Sequence, residues 1–155
     1  MSTGSRQRRG DPPLPLRNYH LIHELYVLQD ACDQQVLRQY DLISSHYRLM
    51  ILLADRPGVR LTTLSDQLLL SKSTITRIVG QLEEKAWVKR INDPEDGRAQ
   101  RVTLTELGHE KLKAISETHL NSLLQRSRFF EPQELEALGT LLQKQCQNLA
   151  ACLHG

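Results

Sequence analysis

Residues 71–108 read SKSTITRIVGQLEEKAWVKRINDPEDGRAQRVTLTELG, and this stretch decides the fold. Ser71 carries the side-chain oxygen of a helix N-cap, which accepts from the free N–H groups of a first turn. Behind it Ile75, Ile78, Val79, Leu82 and Ala86 recur at the spacing of a helix over 72–86 with one face sunk in a core. Trp87-Val88-Lys89-Arg90-Ile91 is strand-like. Asn92-Asp93-Pro94-Glu95-Asp96-Gly97 concentrates turn formers, and Arg101-Val102-Thr103-Leu104 alternates polar with apolar. Residues 87–104 therefore predict a β-hairpin with a long charged tip. Thr105 then caps the next helix.

Outward from this stretch the pattern stays helical. Leu21, Leu25, Leu28, Cys32 and Val36 mark a helix from Asn18 to about Tyr40. Ser44 is expected to cap a second, with Tyr47, Leu49, Met50, Leu52 and Leu53, and Pro57-Gly58 ends it. Val59-Arg60-Leu61 is long enough only for a minor strand. Thr62 is expected to cap a short third helix bearing Leu64 and Leu68. Beyond the hairpin, Leu112, Ile115, Leu120 and Leu123/Leu124 form the seam of a helix to about Ser127. Pro132 opens a last helix, whose Leu135, Leu138, Leu142, Cys146, Leu149 and Leu153 keep coiled-coil-like spacing. The fold class predicted is mainly α with a small β-hairpin wing, built on a winged helix-turn-helix core.

Composition removes several alternatives. The 155 residues include 20 Lys and Arg against 18 Asp and Glu, a net charge of +2; 39% are hydrophobic and 25% charged. Such a chain folds around a core. No apolar run approaches the roughly 18 residues of a membrane span. MSTGSRQRRGDPPLP has no apolar stretch behind its arginines, so it is not read as a secretory signal. Three cysteines, Cys32, Cys146 and Cys152, are too few for a disulfide framework. Cys32 lies on an apolar seam and reads as a buried, inert thiol. The expected location is cytoplasmic. Residues 1–16 read as a flexible, basic and Pro-rich tail, with Arg6, Arg8 and Arg9 either solubilising the chain or touching a phosphate backbone.

The polar face of the 72–86 helix suits DNA. It carries Lys72, Ser73, Thr76, Arg77 and Gly80, with Thr74 at its edge, and no acid before Glu83 and Glu84. A helix of this kind enters a major groove. Its free N–H groups can hold a phosphate, and Arg77 is placed to reach two acceptors on a guanine. At the hairpin, Arg98 and Arg101 are spaced so that one arginine can project from the tip into a narrow minor groove while the other stays on the strand. Asp96, two residues before Arg98, is expected to hold its guanidinium.

These residues resemble the winged-helix core of the MarR family (multiple antibiotic resistance regulators). The most specific piece is Asp96-Gly97-Arg98 followed by Val102-Thr103-Leu104-Thr105 and Gly108, and the likeness extends over roughly residues 18 to 153. It implies major-groove contacts at Ser71, Lys72, Ser73, Thr74 and Arg77, a wing arginine at Arg98 and its orienting partner at Asp96. Thr76 and Arg101 complete the predicted DNA-binding set. The resemblance also implies a homodimer, and a Leu seam that a short chain cannot bury alone agrees with it. The organisation expected is a tail (1–16), an N-terminal dimerisation helix (17–43), a DNA-binding lobe (44–105) and C-terminal dimerisation helices (106–155). Leu69 and Ala86 depart from the family pattern, which favours glycine at both places.

By the same resemblance the protein is a repressor on a palindromic operator, released by a small phenolic or anionic effector. Candidates for the effector site, by chemistry, are Tyr19, His20, His23 and Tyr26 on the first helix with Tyr47 and Arg48 on the second. His20 and His23 make at most half a zinc site, so no metal or cofactor is expected. No catalytic constellation is visible, and an enzyme is not expected. The rival reading is a winged-helix protein-interaction module that does not bind DNA.

Overall fold

The computed structural model describes residues 12–154, in the order α1 (Leu14–Leu37), a short 3-10 turn (Arg38–Tyr40), α2 (Ser44–Asp55), β1 (Val59–Arg60), α3 (Leu61–Leu68), α4 (Lys72–Glu84), β2 (Val88–Asn92), β3 (Gln100–Leu104), α5 (Glu106–Ser127) and α6 (Pro132–His154). The tail arginines Arg6, Arg8 and Arg9 lie outside the described residues. Two compact units make up the chain, one ending at Leu112 and the other starting at Lys113.

The first unit holds the winged helix. Leu49, Met50 and Leu53 of α2, Leu64 of α3, Ile75, Ile78, Val79 and Leu82 of α4, and Val102 of β3 are fully buried. Each such aliphatic side chain contributes about 1.5–3 kcal/mol of transfer free energy. Of the face read from the sequence, four residues enter this core and Ala86 does not. α4 stops at Glu84, and Ala86 follows in the left-handed region at φ 59°, exposed. Leu69 closes α3 the same way at φ 53°, while the Leu70 N–H donates to the Ser65 carbonyl. Both positions hold a β-carbon where glycine is the unstrained choice.

β1, β3 and β2 form an antiparallel sheet in that order. The hairpin pairs Val88 with Leu104 and Asn92 with Gln100, and β1 adds Val59 opposite Val102 and Arg60 opposite Arg101. The Thr105 hydroxyl then accepts from the Gly108 N–H at 2.9 Å and donates to the Ala86 carbonyl at 2.7 Å. Gly108 lies against the Trp87 carbonyl, where any Cβ would overlap the oxygen. That close approach explains the glycine at this point of the sequence.

Several local expectations are corrected. α1 begins at Leu14 rather than Asn18, because Pro15 occupies its first turn, where no N–H is needed and φ is already helical. Ile43, not Ser44, is the N-cap of α2. Ser44 is the first helical residue, and its hydroxyl donates to Asp30 at 2.6 Å and accepts from Gln34 at 2.9 Å, both on α1. Arg60, not Thr62, precedes α3. Cys32 is only half-buried, and Cys146 and Cys152 are exposed; all three are free thiols.

The apolar side chains of α1 up to Leu28 remain exposed, among them Leu21, Leu25 and Leu28. In the second unit, Leu135, Leu138, Leu142 and Leu149 of α6 are likewise exposed. Among the described residues no helix is long and apolar enough to cross a membrane.

Candidate nucleic-acid interface

Ser71 caps α4 as expected, its Oγ accepting from the Thr74 N–H at 3.2 Å. The same oxygen lies 3.0 Å from the Ser73 hydroxyl and 2.8 Å from that of Thr74. Three hydroxyls thus converge at a helix N-terminus whose first turn carries no acid, so the partial positive charge there is not cancelled. Ser71, Lys72, Ser73, Thr76 and Arg77 are exposed, and Thr74 is half-buried. The Thr76 hydroxyl donates to the Lys72 carbonyl at 2.9 Å, which leaves its oxygen only as an acceptor. Arg77 Nη1 donates to Gln81 Oε1 at 3.1 Å, and its other N–H groups remain for a partner.

The wing divides its arginines into two kinds. Arg101 Nε lies 3.0 Å from Asp93 Oδ2, and its Nη2 donates to Glu95 at 3.2 Å. Arg60 pairs with the same Asp93 and reaches Glu95 at 3.3 Å. Arg90 Nε meets Glu83 at 3.0 Å. These three cations are neutralised at the root of the wing. Arg98 stands at the exposed tip and joins no ion pair among the described residues.

Two site expectations change accordingly. Arg101 is occupied by two acids and works as a brace for the hairpin. Asp96 does not hold the Arg98 guanidinium: its Oδ1 accepts from the Arg98 backbone N–H at 3.0 Å, while the Asp96 carbonyl accepts from the Ala99 N–H at 2.9 Å. Asp96 therefore shapes the turn that carries Arg98 and leaves the guanidinium free. Sequence reasoning also missed Asp93. It sits in a run of turn formers, yet its side chain is fully buried. Hydrogen bonds from Arg60 and then Arg101, against the cost of burial, hold its carboxyl far below the usual carboxylate range. The one signal available was the pair of arginines at 60 and 101, too far apart in sequence for periodicity to connect.

The six effector candidates do not converge. Tyr19 stacks edge-on against His23, ring centroids 4.5 Å apart, and against His20 at 5.6 Å; all three are exposed on α1, as is Tyr26. Tyr47 is buried within the first unit. Arg48 borders a separate hollow with Ile51, Asp55 and Gln67. A larger cavity of about 610 Å³ opens elsewhere, lined by Gln34, Arg38, Asp41 and His46 with Arg77, Gln81, Glu84 and Lys85, and none of the six borders it. Among the described residues no group of three His, Cys, Asp or Glu is placed to hold a metal.

A capped helix with a basic, acid-free front, followed by a hairpin with a free arginine at its tip, is the winged helix-turn-helix of a DNA-binding transcription regulator. The MarR family model matches residues 42–99. Over 112 residues the chain is 35% identical to the uncharacterized HTH-type transcriptional regulator YxaD of Bacillus subtilis, spanning 72% of this chain and 78% of that protein. The chain belongs to the MarR family, whose members are transcriptional regulators and not enzymes. Its fold is also that of a mutant E. coli MarR complexed with operator DNA (TM-score 0.74, 22% identity, 84% of this chain and 93% of that one). The PcaV regulator of Streptomyces coelicolor, solved with its natural ligand, is similar too (TM-score 0.72, 18% identity, 89% and 97%).

Proposed function

We propose that the protein is a homodimeric repressor that binds a palindromic operator, with α4 in the major groove and the wing tip in the adjacent minor groove. The observation that carries this reading is the sorting of cations. Arg60, Arg90 and Arg101 are matched to acids, whereas Arg77 and Arg98 are exposed and in no ion pair among the described residues. A module built only to bind proteins has no need to spare those two. The contact set is Ser71, Lys72, Ser73, Thr74, Thr76, Arg77 and Arg98, with Asp96 and Arg101 shaping the wing. That a MarR was solved on operator DNA supports the assignment.

Dimerisation is supported by the exposed leucines of α1 and of α6, taken each by itself. Twofold symmetry would present two copies of α4 to half-sites about 34 Å apart. A small phenolic or anionic ligand would release the operator by preferring a dimer whose α4 separation does not fit it. Tyr19, His20, His23 and Tyr26 offer it the polar groups on α1, and PcaV, solved with its natural ligand, supports ligand binding by a protein of this fold. The protein would act in the compartment that holds the DNA, the cytoplasm.

Selection of bound sequences from a random duplex pool tests the reading. A recovered consensus with twofold symmetry is expected. Recovery of no consensus would favour the protein-interaction module.

A further inference from the structure

Arg77 is the outer, exposed end of a chain of hydrogen bonds that starts at the N-terminus of α2. An arginine only donates, so the Gln81 atom facing Arg77 Nη1 at 3.1 Å must be the amide oxygen. His46 Nε2 lies 2.9 Å from that same oxygen and must therefore carry a proton and donate to it. The other ring nitrogen, Nδ1, is then the acceptor for the Ile43 N–H at 3.2 Å. His46 is buried and Gln81 half-buried, so neither is free to turn away. One tautomer satisfies the whole chain, and it anchors the Gln81 oxygen beneath an exposed guanidinium.

We infer that Gln81, fixed by His46, is a positioning residue for base reading by Arg77, an inference that rests on the proposed DNA-binding role. A free arginine side chain loses about 2 kcal/mol of rotamer entropy when it docks. An acceptor one turn along α4 removes part of that loss beforehand. It uses one of five N–H donors and leaves a pair for the two acceptors of a guanine edge. The other charged groups bordering this cavity are Arg38, Asp41, Glu84 and Lys85. Of these, Lys85 is already bound to Asp41 at 2.8 Å. Glu84 forms no ion pair with Arg77 among the described residues, and Gln81 is the hydrogen-bonded partner of Arg77 on α4.

The test is a cycle of variants titrated on the selected operator: wild type, Gln81→Met, Arg77→Ala and the double variant. Active fractions are fixed by stoichiometric titration, so a loss of folded protein does not pass for a loss of affinity. Gln81→Met is expected to weaken binding by about 3- to 10-fold, and to flatten preference at the base pair that Arg77→Ala also flattens. In the Arg77→Ala background it is expected to change affinity less than about 2-fold. Wild-type affinity and preference in Gln81→Met, or an equal loss in both backgrounds, would overturn the inference. If wild type recovers no site from the pool, it is the DNA-binding reading that fails, and this inference with it.

Discussion

Arg60 and Arg101 are direct cross-strand partners, and the two like charges share one buried carboxylate, that of Asp93. Opposed arginines repel; Asp93 beneath them and Glu95 above them turn the pair into a clamp. The clamp ties β1, on one side of the sheet, to the start of the wing loop. It has a cost if broken, since a buried charge left without its partner is strongly destabilising.

Arg101→Ala and Arg98→Ala should therefore separate stability from binding. Arg101→Ala is expected to lower the melting midpoint by several degrees. Arg98→Ala, at an exposed tip, should leave it within about 2 °C while weakening operator binding. Calorimetry and a duplex titration on the same preparations check both halves.

Acid should destabilise the fold in two stages. His46 titrates below its ordinary 6.5, chiefly because burial penalises the imidazolium. The unfolded chain thus binds more protons, and stability falls as pH drops through about 6.5 towards the depressed folded value. Asp93 is depressed far below 3.8, so its contribution is complete above that value and is lost as pH falls further. Denaturant midpoints from pH 8 to about 2 should show both declines. Asp93→Asn should shrink the lower one, leaving the smaller part that Asp41 makes through Lys85, and keep the upper.

Two single substitutions should stabilise the protein. Leu69 and Ala86 sit at φ 53° and 59°, and Leu69 is 75% exposed, so little burial is forfeited with its side chain. Relief of left-handed strain, less the extra freedom glycine gains when unfolded, leaves about 0.5–1 kcal/mol for Leu69→Gly and for Ala86→Gly. Equilibrium unfolding measures it.

The exposed leucines of α6 should be covered in solution. Sedimentation is expected to give twice the chain mass at micromolar concentration. Leu138→Asp with Leu142→Asp should shift it towards the monomer, because two carboxylates cannot be buried against an apolar partner.

The parts of the fold legible in the sequence were those written in local chemistry. The Ser71 and Thr105 caps, the apolar spacing from Ile75 to Leu82 and the alternation of Arg101–Leu104 all act within one or two turns of chain. What escaped reading depends on distant partners. Ser44 looked like a cap, but its hydroxyl is drawn to Asp30 and Gln34 on a neighbouring helix. Asp93 read as one of a run of turn formers, but Arg60 holds it from 33 positions away. His46 stood out in no pattern, and only the packed structure brings it to Gln81. Ala86 kept the helical spacing and lost the helix, because nothing in its side chain signals a left-handed stop.

The central claim is that Arg77 and Arg98 read adjacent grooves of one duplex. Titration of the selected operator with wild type, Arg77→Ala and Arg98→Ala tests it most directly. Arg77→Ala is expected to cost about 1–3 kcal/mol and to relax preference at one base pair per half-site, and Arg98→Ala to weaken binding most where A·T pairs flank the site. Wild-type affinity and wild-type base preference in both variants would contradict it.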